Sequence, residues 1–176
     1  MPNKKEKIII VGGSGSGKSF LLRELVKKGL NYSPKFTTRP RRSLEKDGVD
    51  YHFISNEEFL EKKNNNEILT YQEFLIDNEK WYYGITKDNY YNNQLFIMTP
   101  NELSNLNESD KKGTFIVYLD ISENIRRKRI SNRNDNNDSI ERRLNQDRLD
   151  FKSFNRYDLK ITDPEFDADS VYELMD

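Results

Sequence analysis

The chain has no cysteine, which excludes disulfides, thiol catalysis and cysteine-ligated zinc. Its single histidine, His52, cannot build a multi-histidine metal centre. Neither charge dominates: 29 Lys and Arg against 30 Asp and Glu leave a net charge of -1, so no whole-molecule field draws the protein to DNA or to an acidic membrane. Long apolar runs are lacking too. None approaches the roughly 20 residues needed to span a bilayer, and the run after the short basic start is too brief for a signal peptide. These absences predict a soluble, cytoplasmic protein that binds neither nucleic acid nor membrane. What is present is enough for one compact domain: 176 residues, with ten Phe and ten Tyr to fill a core.

The segment Lys7 to Val11, KIIIV, is short and β-branched, the pattern of a strand buried on both faces. A glycine-rich loop, GGSGSGKS, follows at once, and then FLLRELVKKGL, in which Leu21, Leu22, Leu25 and Val26 fall at helical spacing and Gly29 closes the helix. Strand, loop and helix open a three-layer α/β domain. From Phe36 to about Tyr90 the pattern changes to short mixed segments, KFTT, YHFIS, EILTYQEFLI and KWYYGIT, with a small helix capped by Ser55 and Glu58. This reads as a largely β insertion. The α/β rhythm resumes with QLFIM and TFIVYLD as buried strands and NELSNL and SENIRRKRISNR as helices. A longer helix, DSIERRLNQDRLDFKSF, is expected to carry Ile140, Leu144 and Leu149 on one side, before a last strand YDLKI and a last helix ADSVYELMD. The asparagine-rich KKNNNE and NRNDNND read as exposed turns, the second as a mobile one.

The loop Gly12-Gly13-Ser14-Gly15-Ser16-Gly17-Lys18-Ser19 fits G-x-x-x-x-G-K-[ST]. Its glycines let successive backbone N–H groups turn toward phosphate oxygens, and the helix behind adds its positive dipole end. Lys18 is placed to reach β- and γ-phosphates, and the Ser19 hydroxyl to ligate Mg²⁺. A flexible glycine turn before an ordinary helix is the plainer alternative, and the position between a buried strand and a helix argues against it.

The motifs GGSGSGKSFLL, TTRPRRSLEKDGVDYHFIS, WYYGIT and SIERRL, in this order, resemble the guanylate kinase family of nucleoside monophosphate kinases over nearly the whole chain. The resemblance implies an α/β fold: a three-layer P-loop kinase with a parallel-sheet core, a β-rich monophosphate-binding insertion and a small lid. By position, the core is about residues 1–34, 92–126 and 147–176, the monophosphate-binding region about 35–91 and the lid about 127–146. The implied reaction is Mg²⁺-dependent transfer of the γ-phosphoryl group of ATP to GMP or dGMP by a monomer or homodimer. Arg39 and Arg42 match arginines that grip the acceptor phosphate, Tyr51 and Tyr83 the tyrosines that complete the grip, and Glu45 an acid that orients the arginines. Arg41 and His52 match no catalytic role. Arg129, Arg133 and Arg143 match lid and lid-adjacent arginines that spread transition-state charge; a solvated basic face is the alternative, because Arg126, Arg127 and Lys128 lie beside them.

The positions that read the base depart from the family. Lys35 stands where a serine is usual, Thr70 replaces an acid, Ile85 followed by Thr86 replaces a small hydroxyl residue, and Met98-Thr99-Pro100 replaces Asp-x-Asp. Glu73 cannot stand in for the acid, since three residues along a strand it faces the other way from Thr70. Lys35, Thr70 and Thr86 are nevertheless expected in the acceptor site. Asp120 is expected either to support the metal or, preferably, to cap the next helix with Glu123. The phosphate grip is kept while the base half is rewritten, so the acceptor is GMP, dGMP or a related, non-guanine nucleotide. A catalytically silent phosphoprotein-binding module, or a kinase of another small phosphorylated metabolite, remains the alternative.

Overall fold

A computed structural model describes residues 7–133 and 138–175. Eight strands and eight helices follow one another along the described chain: β1 (Lys7–Gly12), α1 (Lys18–Lys27), β2 (Phe36–Thr37), β3 (His52–Phe53), α2 (Asn56–Asn64), β4 (Ile68–Ile76), β5 (Glu79–Thr86), α3 (Lys87–Asn92), β6 (Leu95–Ile97), α4 (Pro100–Ser104), α5 (Glu108–Lys111), β7 (Thr114–Leu119), α6 (Glu123–Ser131), α7 (Ile140–Phe151), β8 (Leu159–Ile161) and α8 (Ala168–Glu173). The strands form two sheets. One is wholly parallel, in the order β6-β1-β7-β8; the other is mixed, in the order β3-β2-β5-β4.

Alternation along β1 builds the layers. Ile8 and Ile10 face one core with Leu21, Leu25, Val117 and Val171, while Ile9 and Val11 face another with Phe96, Met98, Leu103 and Ile116. Helices α1 and α8 therefore cover one side of the parallel sheet. On the other side the Phe151 ring of α7 stacks on Tyr118, centroids 5.3 Å apart. Gly29, at φ +93°, ends α1 in a Schellman arrangement, its N–H donating to the Val26 carbonyl and that of Leu30 to Leu25. Val26 itself lies on the exposed side of α1.

The small helix α2 carries the expected capping box between Ser55 and Glu58. In α7, Leu144 is buried but Leu149 is 71% exposed. Five residues beyond Leu144 is some 140° around the helix, so the two cannot share a face. The expected cap at Asp120 is also corrected. Ser122 precedes α6 without a side-chain cap, and the Asp120 carboxylate instead pairs with Lys160 at 2.8 Å and accepts from the Tyr118 hydroxyl at 3.1 Å. Glu123 turns to Arg127 and Arg148. Of NRNDNND, residues 134–137 lie outside the described residues. No helix among the described residues is long and apolar enough to cross a membrane.

Candidate active site

The parallel strands β1 and β6 deliver their carboxyl ends to one cleft, the place where open α/β sheets gather ligands. Beyond β1 the chain turns through Gly15 at φ +76° and Gly17 at φ +100°, a left-handed backbone that side chains resist. The turn is also crowded. A Cβ on Gly13 would lie 2.5 Å from Arg126 Nη1, and one on Gly15 would lie 2.7 Å from the Arg126 carbonyl oxygen. Gly17 caps α1 with no side-chain acceptor, which leaves the first amides of that helix turned toward the loop.

Lys18 donates to the carbonyl oxygens of Gly12 and Gly13 at 2.7 and 2.9 Å. Burial pulls its ammonium down to about pKa 8, against the opposing charge of Asp147. The Ser14 N–H donates to Asp147 Oδ2 at 2.9 Å, and the same oxygen accepts from Arg126 Nη1 at 2.7 Å. The alternative of a solvated basic face grouped Arg126 with Arg127 and Lys128; Arg126 is instead buried, and donates in addition to the carbonyls of Ile121 and Ser14. Its charge is tolerated inside because Asp147 and these carbonyls occupy it. Ser19 stands exposed in the first turn of α1. Among the described residues no group of three or more His, Cys, Asp or Glu could hold a metal. One hydroxyl without an acidic cage suits Mg²⁺, which keeps its waters and takes its other ligands from phosphate oxygens.

Across the cleft, Arg39 is 3% exposed and its guanidinium donates to Glu45 Oε1 at 2.6 Å and to the Pro40 carbonyl at 2.8 Å. Glu45 Oε2 accepts the backbone N–H of Arg42 at 2.8 Å, so one carboxylate fixes both arginine positions. Burial pushes the Glu45 carboxyl up, but the Arg39 hydrogen bond, the Arg42 amide and both guanidinium charges outweigh it and leave the pKa below the ordinary value. Tyr51 lies under the Arg39 guanidinium, 5.4 Å from ring centroid to Cζ, and edge-on to Tyr83 at 5.8 Å. Burial raises both phenols, Tyr83 to about 12, so each keeps its proton at neutral pH and can donate it to an anion. Arg41 is exposed, and His52 packs on Phe36 at 4.8 Å.

The base-reading positions hold a constellation that sequence alone did not suggest. Lys35 Nζ donates to both oxygens of Glu102 at 2.9 and 2.8 Å, and the Glu102 side chain is wholly buried. Thr99, Pro100 and Glu102 begin α4 as a capping box: the Thr99 N–H donates to Glu102 Oε2, and the Glu102 N–H to Thr99 Oγ1. The Thr70 hydroxyl donates to the Glu102 carbonyl at 2.9 Å. Ile85 is in the core, and Thr86 Oγ1 caps α3 by accepting from Asn89. Glu73 pairs with Lys80 on the outer face, as its position requires. The T-x-x-E spacing of a capping box at the end of β6 was the available signal for Glu102. Gln72 is a second missed residue: it is 8% exposed and lines the cleft.

Arg129 donates to the carbonyls of Gly15 and Pro164 at 3.2 and 2.8 Å. Arg143 lines the cleft, its Nε 3.9 Å from Asp138, and Arg133 stands exposed just beyond α6. Lys18, Arg42, Tyr51, Tyr83, Arg143 and Asp147 thus face one opening. It combines an anion-binding loop with an arginine- and tyrosine-lined anion site, the two halves needed to bring one phosphate to another.

The family model for guanylate kinase matches residues 4–175. A guanylate kinase of Malacoplasma penetrans is 32% identical over 173 residues, covering 90% of this chain and 86% of its own length. A guanylate kinase of Prochlorococcus marinus is 31% identical over 201 residues, covering 99% and 97%. A crystal structure of guanylate kinase from Anaplasma phagocytophilum superposes with a TM-score of 0.69 at 22% identity, over 98% of this chain and 86% of that one, a likeness of fold.

Proposed function

The chain belongs to the guanylate kinase family of nucleoside monophosphate phosphotransferases, and from that premise we propose that it transfers the γ-phosphoryl group of ATP, with Mg²⁺, to GMP, dGMP or a related nucleoside monophosphate. The observation that carries this reading is the single cleft shared by Lys18 and the Arg42–Tyr51–Tyr83 group. The loop amides and Lys18 bind the β- and γ-phosphates, and Ser19 would hold the metal. Bound there, Mg²⁺ supplies neutralisation of charge on the phosphates.

Arg42, Tyr51 and Tyr83 hold the acceptor phosphate in line, with Arg39 buried behind them on Glu45. Glu45 keeps the arginine pair rigid, so little ordering is left to be done when the acceptor arrives. Arg133 and Arg143, with Arg129 at the loop, bring positive charge over the transferring group. The acceptor is already an anion, so no side chain has to remove a proton from it. The test is ADP release from Mg-ATP with a panel of ribo- and deoxynucleoside monophosphates. Turnover with at least one member is expected. Silence with all of them, together with tight phosphopeptide binding, would overturn the reading in favour of a phosphoprotein-binding module.

A further inference from the structure

Gln72 has no counterpart in the phosphate chemistry above. It sits two residues beyond Thr70 in β4, on the same face, and opposite Tyr83 in the ladder with β5. Its Oε1 atom is buried and finds no partner among the described residues. A buried acceptor left open is costly; Gln72 lines the substrate cleft, and rotation of its amide about χ3 would bring Oε1 to a ligand's donor there.

The groups around it fix what that ligand presents. An ammonium has three N–H bonds; Lys35 spends two on Glu102, and one remains. Glu102 is sealed by Lys35 on one side and the Thr99 amide on another, so its carboxylate is not displayed to the cleft. The Thr70 proton is committed to the Glu102 carbonyl, and the side chain, 2% exposed, is not presented to the cleft. Ile85, in the core at 2% exposure, offers no polar atom.

Resting on the kinase reading, we propose that Gln72 and Lys35 read the lactam edge of the acceptor base, a ring N–H beside a carbonyl, and leave the exocyclic amine of guanine unread. Gln72 Oε1 accepts the ring N–H, and the remaining Lys35 proton goes to the adjacent carbonyl. Guanine and hypoxanthine both carry that edge. Adenine carries the reverse pattern, a bare ring nitrogen beside an amine. Turning the Gln72 amide over would match that edge, but Lys35 would then meet N–H with N–H. Taking the amine of guanine together with its ring N–H requires a displayed carboxylate, and the carboxylate present is occupied.

The experiment measures calorimetric Kd values for GMP, IMP and AMP, and separately ADP release, for the intact protein, Gln72→Leu and Gln72→Glu. Ratios between nucleotides within one variant cancel any misfolded fraction. GMP and IMP are expected within about tenfold of each other, with AMP about a hundredfold weaker. Gln72→Leu should lower GMP and IMP binding about tenfold or more and leave AMP within about threefold. Gln72→Glu should shift preference toward GMP over IMP by about tenfold, because the new carboxylate takes both donors of guanine.

A GMP preference over IMP above about tenfold, ratios indifferent to Gln72, or no binding by any of the three would overturn the assignment. The two readings fail separately. Expected ratios without ADP release leave the base site standing and remove the kinase; ADP release with Gln72-insensitive ratios does the reverse.

Discussion

Replacing Lys35 by Met isolates a charge inside the protein. The Glu102 side chain is wholly buried, and of its hydrogen bonds only the one from the Thr99 amide would survive. Breaking a buried ion pair from one side costs about 3–5 kcal/mol, because the remaining charge keeps its desolvation penalty without compensation. Lys35→Met should therefore cost about that much. Lys35→Met combined with Glu102→Gln should cost less than Lys35→Met alone, since the neutral amide still accepts the Thr99 N–H and no charge is stranded. The single tryptophan, Trp81, lies buried at 7% exposure in β5 and reports on the mixed sheet next to the pair. Urea titrations followed by its fluorescence give the free energies, provided the slope is unchanged between variants. A cost below about 1 kcal/mol for Lys35→Met, or a double variant no more stable than the single one, would refute the claim that Glu102 is a buried charge held by Lys35.

Lys18→Met should lower ADP formation by about a thousandfold or more while leaving the fold intact, checked by single-turnover kinetics. The same residue gives a pH signature. Its ammonium titrates at about 8 when folded against the usual 10.5, so between those values the unfolded chain binds more protons and stability rises with pH. The wild type should gain up to about 3 kcal/mol relative to Lys18→Met across that window, read from urea midpoints at its two ends; a difference independent of pH would refute it. Arg42→Ala should raise the acceptor KM about tenfold or more with a smaller change in kcat, whereas equal falls in kcat and kcat/KM at unchanged KM would place Arg42 in the transition state alone. Gly15→Ala, which forces a Cβ to 2.7 Å from the Arg126 carbonyl at a left-handed φ, should destabilise by about 2 kcal/mol or more, whereas Leu149→Ala on the exposed side of α7 should stay within about 0.5 kcal/mol.

What sequence could reveal depended on whether the signal was local. The loop from Gly12 to Ser19 is legible because phosphate-binding backbone is made by consecutive residues, and the strand and helix around it follow from periodicity. Glu45 was legible as an orienting acid through the family resemblance, and its partners, Arg39 and Arg42, lie within six residues. Glu102 was not, because it meets Lys35 and Thr70 from 67 and 32 residues away, only where α4 packs against β4. The burial of Arg126 was hidden for the same reason: it rests on Asp147, 21 residues on, on another helix. Gln72 carries no sequence signal; its meaning comes from an oxygen left over after every neighbouring contact is made.

The contact between Asp147 and the Ser14 amide also bears on how any affinity for this loop should be understood. A carboxylate from α7 already occupies one of the amides that would face a phosphate, so the free protein is not a vacant receptor but one bound to part of itself. An arriving anion that takes this amide performs an exchange, releasing Asp147 to Arg126 alone. The measured dissociation constant is then a difference between two anions. Removing the internal competitor, as in Asp147→Asn, changes the starting point of that exchange as well as the helix contact, and the two contributions separate only if binding and stability are measured on the same variant.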